Sequence, residues 1–423
     1  MTSFPAPPFD LFNVLFERIY DPTMHLLFAF DGEVDRGVLK TATLRLIAAN
    51  PYLGCRFSEN NGMPVWEECA ADERERAFVV LPAGSEMPPA PLDVRMGPQV
   101  RVSLLPEDDG DRVVVTCHHG FCDARGLLDI ARQLFAVYRE IGKDPAFAPA
   151  QTGRYDRSTD QVLARFSAEE IERAREVEET FVDRWRFPVE QTGRGTPRIA
   201  CRTLAPERLA RARSFGKKYG ATVNEVVIAA FFLALLRIRD DPTDRNTPRS
   251  ILTSADLRRH LDRPVPPANL SVAYEVTIAA GEDARLEDML VQVATTTRRR
   301  KENGLGLGCI LFYDAIYAGG MPAVEAFFDG MMQRYLGTGL KNPVFSNIGV
   351  FDAGDVLPLQ GRDGGALDLR NVLILPCVCW PYGFLVTLST FRDAMTLVSA
   401  YEEGPYSRET VERFLAYVDE YLP

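Results

Sequence analysis

The stretch Val113-Val114-Val115-Thr116-Cys117-His118-His119-Gly120-Phe121-Cys122-Asp123 runs straight into Ala124-Arg125-Gly126-Leu127-Leu128, and the two segments follow different periods. Three valines and a threonine, all β-branched, are how a short buried strand is written. From Leu127 the apolar residues Leu127, Ala131, Leu134, Tyr138 and Ile141 recur at three- and four-residue steps, with Leu128 and Phe135 on the same side. That spacing predicts an amphipathic helix, which makes residues 120–123 a tight strand-to-helix turn. Adjacent strand side chains point to opposite faces, so His118 and His119 do not serve one site; one faces a cleft and the other the packing. Two imidazoles pointing apart are also poor ligands for one metal ion, and no third ligand arrives at a recognisable spacing.

His118-His119-x-x-x-Asp123, at this place in a chain of 423 residues, resembles the signature of the chloramphenicol-acetyltransferase-like acyltransferases. That superfamily includes the condensation domains of peptide synthetases, the alcohol acetyltransferases and the polyketide-associated acyltransferases. The resemblance implies an α/β (α+β) fold of two similar lobes, each a mixed sheet with flanking helices, around a central tunnel. It implies that His119, next to His118 in the motif, is the catalytic base taking a proton from an acceptor hydroxyl or amine, which then attacks an acyl thioester. It implies further that Asp123 pairs with an arginine to hold the histidine loop. The family's glycine after the aspartate is Ala124 here, with a glycine only at Gly126, so both positions are candidates for contact with substrate. Asp123 equally sits where the first turn of the helix needs an acceptor, and the cap and the ion pair are compatible.

Three further segments echo the same superfamily. Ala221-Thr222-Val223-Asn224-Glu225-Val226 matches its Ala-Thr-x-Asn-x-Val helix, and opens with a capping box. The strand ending in Asp256-Leu257-Arg258 makes Arg258 the candidate partner of Asp123; the alternative is a surface arginine on a turn. Ser346-Asn347-Ile348-Gly349 resembles a strand that faces the family's tunnel, so Ser346 or Asn347 would donate a hydrogen bond to a developing oxyanion, unless these are simply polar residues of an edge strand. Near residue 50 the family's arginine falls at Gly54, and Arg56, two residues along a strand and thus on the same face, is positioned to replace it.

Composition bounds the remaining classes. A length of 423 residues with 46% hydrophobic content provides for two domains with full cores. A net charge of -11 argues against nucleic acid as a partner, since phosphate binding requires a clustered basic excess. No basic run precedes an apolar stretch near Met1, and the longest apolar run, residues 226–236, is too short for a bilayer, so a cytoplasmic enzyme, monomeric and without a membrane span, is expected. The eight cysteines are dispersed without a Cys-x-x-Cys pair and read as reduced thiols. Cys117 and Cys122 flank the histidines and are considered as nucleophiles, but a thiolate needs an electropositive, accessible position. Arg298-Arg299-Arg300-Lys301 ends a helix whose dipole it complements; coenzyme A phosphates or an acidic carrier protein are the functional alternative. Gly304-Leu305-Gly306-Leu307-Gly308 follows a helix rather than a strand and reads as a cap and turn, not a nucleotide loop.

The chain divides into residues 1–165, carrying the histidine motif, and residues 166–423, which start with a charged linker helix expected to reach residue 185. No permanent cofactor is expected; a coenzyme A thioester, or phosphopantetheine on an acyl- or peptidyl-carrier protein, would be the co-substrate, and a small molecule the acceptor. Two readings compete with the transferase. One is a non-catalytic binding or recruiting module with a degenerate site, for which Ala124 and Gly54 speak; the other is a Cys-His hydrolase.

Overall fold

The valine-rich segment forms the strand Arg112–His118 at the centre of a five-stranded sheet. Val113, Val114, Val115 and Cys117 are all fully buried, so both faces of this strand are covered and the apolar run is continuous rather than alternating. Its neighbours are Thr23–Phe30 and Val100–Leu105, both antiparallel to it, with Phe78–Val80 parallel to Val100–Leu105 at one edge. In this computed structural model residues 2–60, 63–177, 182–239, 247–279 and 284–423 are described.

The helix that follows the motif, Ala124–Lys143, buries Leu127, Leu128, Ala131, Leu134, Phe135, Tyr138 and Ile141, the stripe its spacing predicts. Phe135 is the anchor, with its ring edge-on to Phe28 at 4.9 Å and to Phe30 at 5.9 Å. A second sheet of six strands runs in the order Ser271–Ile278, Arg249–Asp256, Val344–Phe351, Leu385–Phe391, Ala394–Glu403 and Thr196–Thr203. Its core helix, Val223–Ile238, is buried almost all round and opens with the predicted capping box, Thr222 Oγ1 accepting from the Glu225 amide and Glu225 accepting from the Thr222 amide. The architecture is therefore α/β, two mixed sheets flanked by helices.

Several elements depart from the sequence reading. The far edge of the first sheet is Leu369–Leu375, antiparallel to Thr23–Phe30, so the sheet that carries the histidines takes a strand from the second half of the chain. The charged helix runs over Ala168–Val177; residues 178–181 lie outside the described residues, and 182–185 are irregular, so the helix does not reach Trp185. Trp185 instead donates its indole N–H to the Ser250 carbonyl at 2.6 Å, a tertiary bond that local periodicity does not register. After the Gly304 and Gly306 turn, both at positive φ, comes a helix over Leu307–Tyr317 that the glycines obscured in the sequence. Among the described residues no single helix is long and apolar enough to cross a membrane.

Phe135→Ala should lower the stability of the fold by about 3–5 kcal/mol, because the ring fills a site closed by the sheet above it. Urea denaturation checks this, and a cost within about 0.5 kcal/mol would mean the helix is not seated on the sheet through this ring.

Candidate active site

Pairing of the motif strand ends at His118, opposite Thr23, and the chain then turns sharply into the helix. The turn is held from its own backbone: the His119 amide donates to the Pro22 carbonyl at 2.7 Å, and the Phe121 amide to the His118 carbonyl at 2.9 Å. Gly120 is required there, since a Cβ would lie 2.4 Å from a Val14 methyl.

The two histidines part as strand alternation demands. His119 lines a cavity of about 740 Å³ together with Asp123, Ala124, Ser254 and Ser346. Its Nδ1 is buried beside the Asn269 side chain and the residue's own backbone, which leaves Nε2 as the nitrogen that an occupant of the cavity reaches. Burial pulls the His119 pKa below the ordinary histidine value, with Asp123 offsetting part of the effect, so the ring is neutral and basic at neutral pH. His118 is 2% exposed, and its Nδ1 accepts from the Gly120 amide at 3.0 Å. Burial drops its pKa to about 3, which keeps it neutral. Rather than facing packing alone, His118 borders a second cavity of about 620 Å³ on the opposite side, and Tyr20 lines both cavities.

Both readings of Asp123 hold together. Its Oδ1 accepts from the Gly126 amide at 2.8 Å as a helix cap, while Oδ2 accepts from the Leu270 amide at 2.7 Å and from Arg258 Nη1 at 2.9 Å. Burial pushes this carboxyl up, but the Arg258 guanidinium and the two amides outweigh it and hold the pKa below the ordinary aspartate value. Arg258 also donates to the Ala268 carbonyl at 2.9 Å, so the surface-turn alternative for this arginine falls away.

The remaining candidates separate. Ser346 lines the His119 cavity and shares a hydrogen bond of 2.9 Å with Ser254 across the parallel strands. Asn347, one residue on, points the other way: its Nδ2 donates to Asn224 Oδ1 at 3.1 Å and its Oδ1 accepts from the Gly349 amide, so it is withdrawn as an oxyanion donor. Ala124 lines the cavity, but Gly126 does not; it lies inside the first helical turn, where a Cβ would come within 2.9 Å of the Cys122 side chain. Arg56 does not replace the family's arginine, since it is held by Glu67 and Glu73 on the small sheet formed by Ser3–Pro5, Met63–Glu68 and Cys55–Asn60. At Gly54 itself a Cβ would sit 2.8 Å from Ile47, which excludes any side chain.

Cys117 and Cys122 are fully buried with their sulfurs 3.3 Å apart and do not line the cavity; burial pushes the Cys122 thiol well up. In the basic run, Lys301 pairs with Glu225 at 3.1 Å and Arg300 donates to the Val177 carbonyl, so these two cations are used within the fold. His260 is the loop histidine it reads as, against the Leu305 carbonyl and the Phe166 ring. Among the described residues no three His, Cys, Asp or Glu side chains gather as a metal site.

The sequence gives no local signal for the network beneath the turn. Arg157 and Asp10, both buried, pair at 2.9 Å; Arg157 also donates to the Phe121 and Pro267 carbonyls, and Asn269 Nδ2 bridges Asp10 to the Gly120 carbonyl. Arg157 and Asn269 lie in loops and Asp10 in the helix Pro8–Leu15, and only tertiary distance joins them.

Comparison with solved structures decides the architecture. Polyketide synthase associated protein 5 from Mycobacterium tuberculosis superposes with a TM-score of 0.70 at 15% identity, over 99% of this chain and 98% of that one. The chain has the chloramphenicol-acetyltransferase-like fold. A trichothecene 15-O-acetyltransferase from Fusarium sporotrichioides shares that fold with a TM-score of 0.70 at 16% identity, over 99% and 93% of the two chains. In sequence, a phthiocerol/phthiodiolone dimycocerosyl transferase from Mycobacterium leprae is 22% identical over 327 residues, 72% of this chain and 76% of its own. No protein-family model matches.

Arg258→Ala should cost about 3–5 kcal/mol, because it leaves the Asp123 carboxylate buried without its counter-charge. The sign of the pH dependence follows from the depressed pKa: the stability contributed by Asp123 is complete above its unfolded value of about 3.9 and is lost as pH falls through the folded value. Denaturation curves from neutral to acid pH should show that loss in the wild type and a shallower one in the variant.

Proposed function

We propose that this chain transfers an acyl group from a thioester to a hydroxyl or amine, with His119 as the general base. The observation that carries the reading is the neutral His119 ring on the wall of an open cavity, with Asp123 and Arg258 fixing the turn behind it. A thioester is already activated, so the site has to align two reactants, move one proton and stabilise one oxyanion. Nε2 takes the proton of the acceptor as its oxygen or nitrogen attacks the thioester carbonyl. The resulting oxyanion accepts from the Ser346 hydroxyl, supported by Ser254. Collapse expels the thiolate, which takes the proton back from the imidazolium.

Two cavities that share Tyr20, one bordered by each histidine, support entry of the thioester from one side and of the acceptor from the other. Coenzyme A and a carrier protein's phosphopantetheine offer the same thioester. The M. leprae relative is itself named a transferase of an acyl group, and it matches over most of its length. A cysteine mechanism has less support, because neither thiol of the motif reaches the cavity.

Intact-mass screening of coenzyme A thioesters against small alcohols and amines tests the proposal. His119→Ala should reduce transfer by about 10²–10⁴-fold; undiminished turnover in the variant would remove His119 as the base, and no transfer by wild type with any pair would leave the recruiting module as the better reading. In wild type kcat/KM should stay level from pH 8 down to about 6.5 and fall only at lower pH, because the base has a depressed pKa.

A further inference from the structure

The cavity that holds His119 is walled largely by apolar side chains, among them Phe16, Ile19, Met24, Phe327 and Ile348. Away from the motif its charged lining is Arg175, Asp183, Arg334 and Lys341, and of the three cations Lys341 is the buried one. This side chain is 7% exposed, and its Nζ donates to the Tyr335 hydroxyl at 3.0 Å. Among the described residues no carboxylate lies within 4.0 Å of that ammonium. The nearest acid acting on it is Asp183, which already accepts from the Asn342 amide and faces Arg334 at 3.6 Å. Two cations thus share one carboxylate at this end of the cavity. Burial pulls the Lys341 pKa down, but Tyr335 and Asp183 more than offset this, so the group stays charged.

A buried ammonium with one neutral hydrogen-bond partner has two N–H donors left over, and leaving a buried charge unmatched is costly. Because the Tyr335 oxygen accepts from Lys341, its own O–H remains available as a donor, and both residues line the cavity. An ammonium and a phenol side by side form a pincer for a carboxylate, whose two oxygens take one donor each.

The distance to the reacting centre follows from the chain. Lys341 stands at the start of an extended segment in which Asn342, Val344, Ser346 and Ile348 face the cavity in alternation. Five residues of extended chain separate Lys341 from Ser346, a span of at most about 17 Å.

We propose that this cavity takes a mainly apolar substrate bearing a carboxylate, seated between the Lys341 ammonium and the Tyr335 hydroxyl, with the reacting group at His119. The proposal rests on the reading that this cavity receives one of the two partners in acyl transfer. Binding measurements test it separately from turnover. By calorimetry, wild type should bind dodecanoate at least about tenfold more tightly than dodecanol, since a charge-assisted hydrogen bond is worth more than a neutral one. Lys341→Met should erase that preference and leave dodecanol affinity unchanged, while Tyr335→Phe should reduce it by a smaller factor. His119→Ala should retain the preference even where it loses transfer, so a failure of the catalytic reading and a failure of this one are distinguishable. Equal affinity of wild type for the two probes, binding of neither, or a preference that survives Lys341→Met overturns the proposal. The wild-type comparison and Tyr335→Phe stand even if Lys341→Met does not fold.

Discussion

The buried pair between Asp123 and Arg258 is the constraint on which the site depends. Asp123 begins the motif helix in the first half of the chain, and Arg258 follows the strand Arg249–Asp256 of the second sheet. The carboxylate serves three masters at once: the helix amide of Gly126, the loop amide of Leu270 and the guanidinium. Three of the carboxylate's roughly four acceptor sites are thus taken by the fold, which fits a role in holding the turn behind the imidazole. The second buried pair, Arg157 with Asp10, repeats the device from below through the Phe121 carbonyl, so the turn is gripped on two sides.

This grip explains how a single imidazole can be presented at a fixed place. The backbone of residues 118–121 is pinned to Pro22 and to itself, and Val14 closes against Gly120. Strand alternation then delivers His118 to one cavity and His119 to the other. Burial keeps both rings neutral, which costs nothing for a base that needs an unoccupied lone pair.

Much of this was legible in the chain itself because it is local. The change from β-branched run to three- and four-residue spacing located the motif turn, the capping box at Thr222 fixed a helix start, and the Asp256-Leu257-Arg258 ending named the partner of Asp123 correctly. What was not legible is what sequence separation hides. Lys341, Arg157 and Asp10 look like ordinary charges, and only the folded chain shows that each is buried. The choice between Ser346 and Asn347 turned on register: Ser346 stands in the parallel ladder beside Thr387 on the cavity face, and its neighbour must then face the helix Val223–Ile238. Gly126 was misread for a related reason, since capping by Asp123 turns its backbone inward.

The edge strand Leu369–Leu375 has a bearing on how the molecule comes into being. Until that segment has left the ribosome, Thr23–Phe30 has a bare flank of amides and carbonyls, open to pairing with any passing chain. The histidine-bearing sheet therefore matures only once residues 369–375 have been made, and a nascent product halted before residue 369 would be prone to aggregate. The same stitch also means that the two halves are not beads on a string: neither can be cut away, swapped or grafted as a unit without unravelling the other's hydrogen-bonded border.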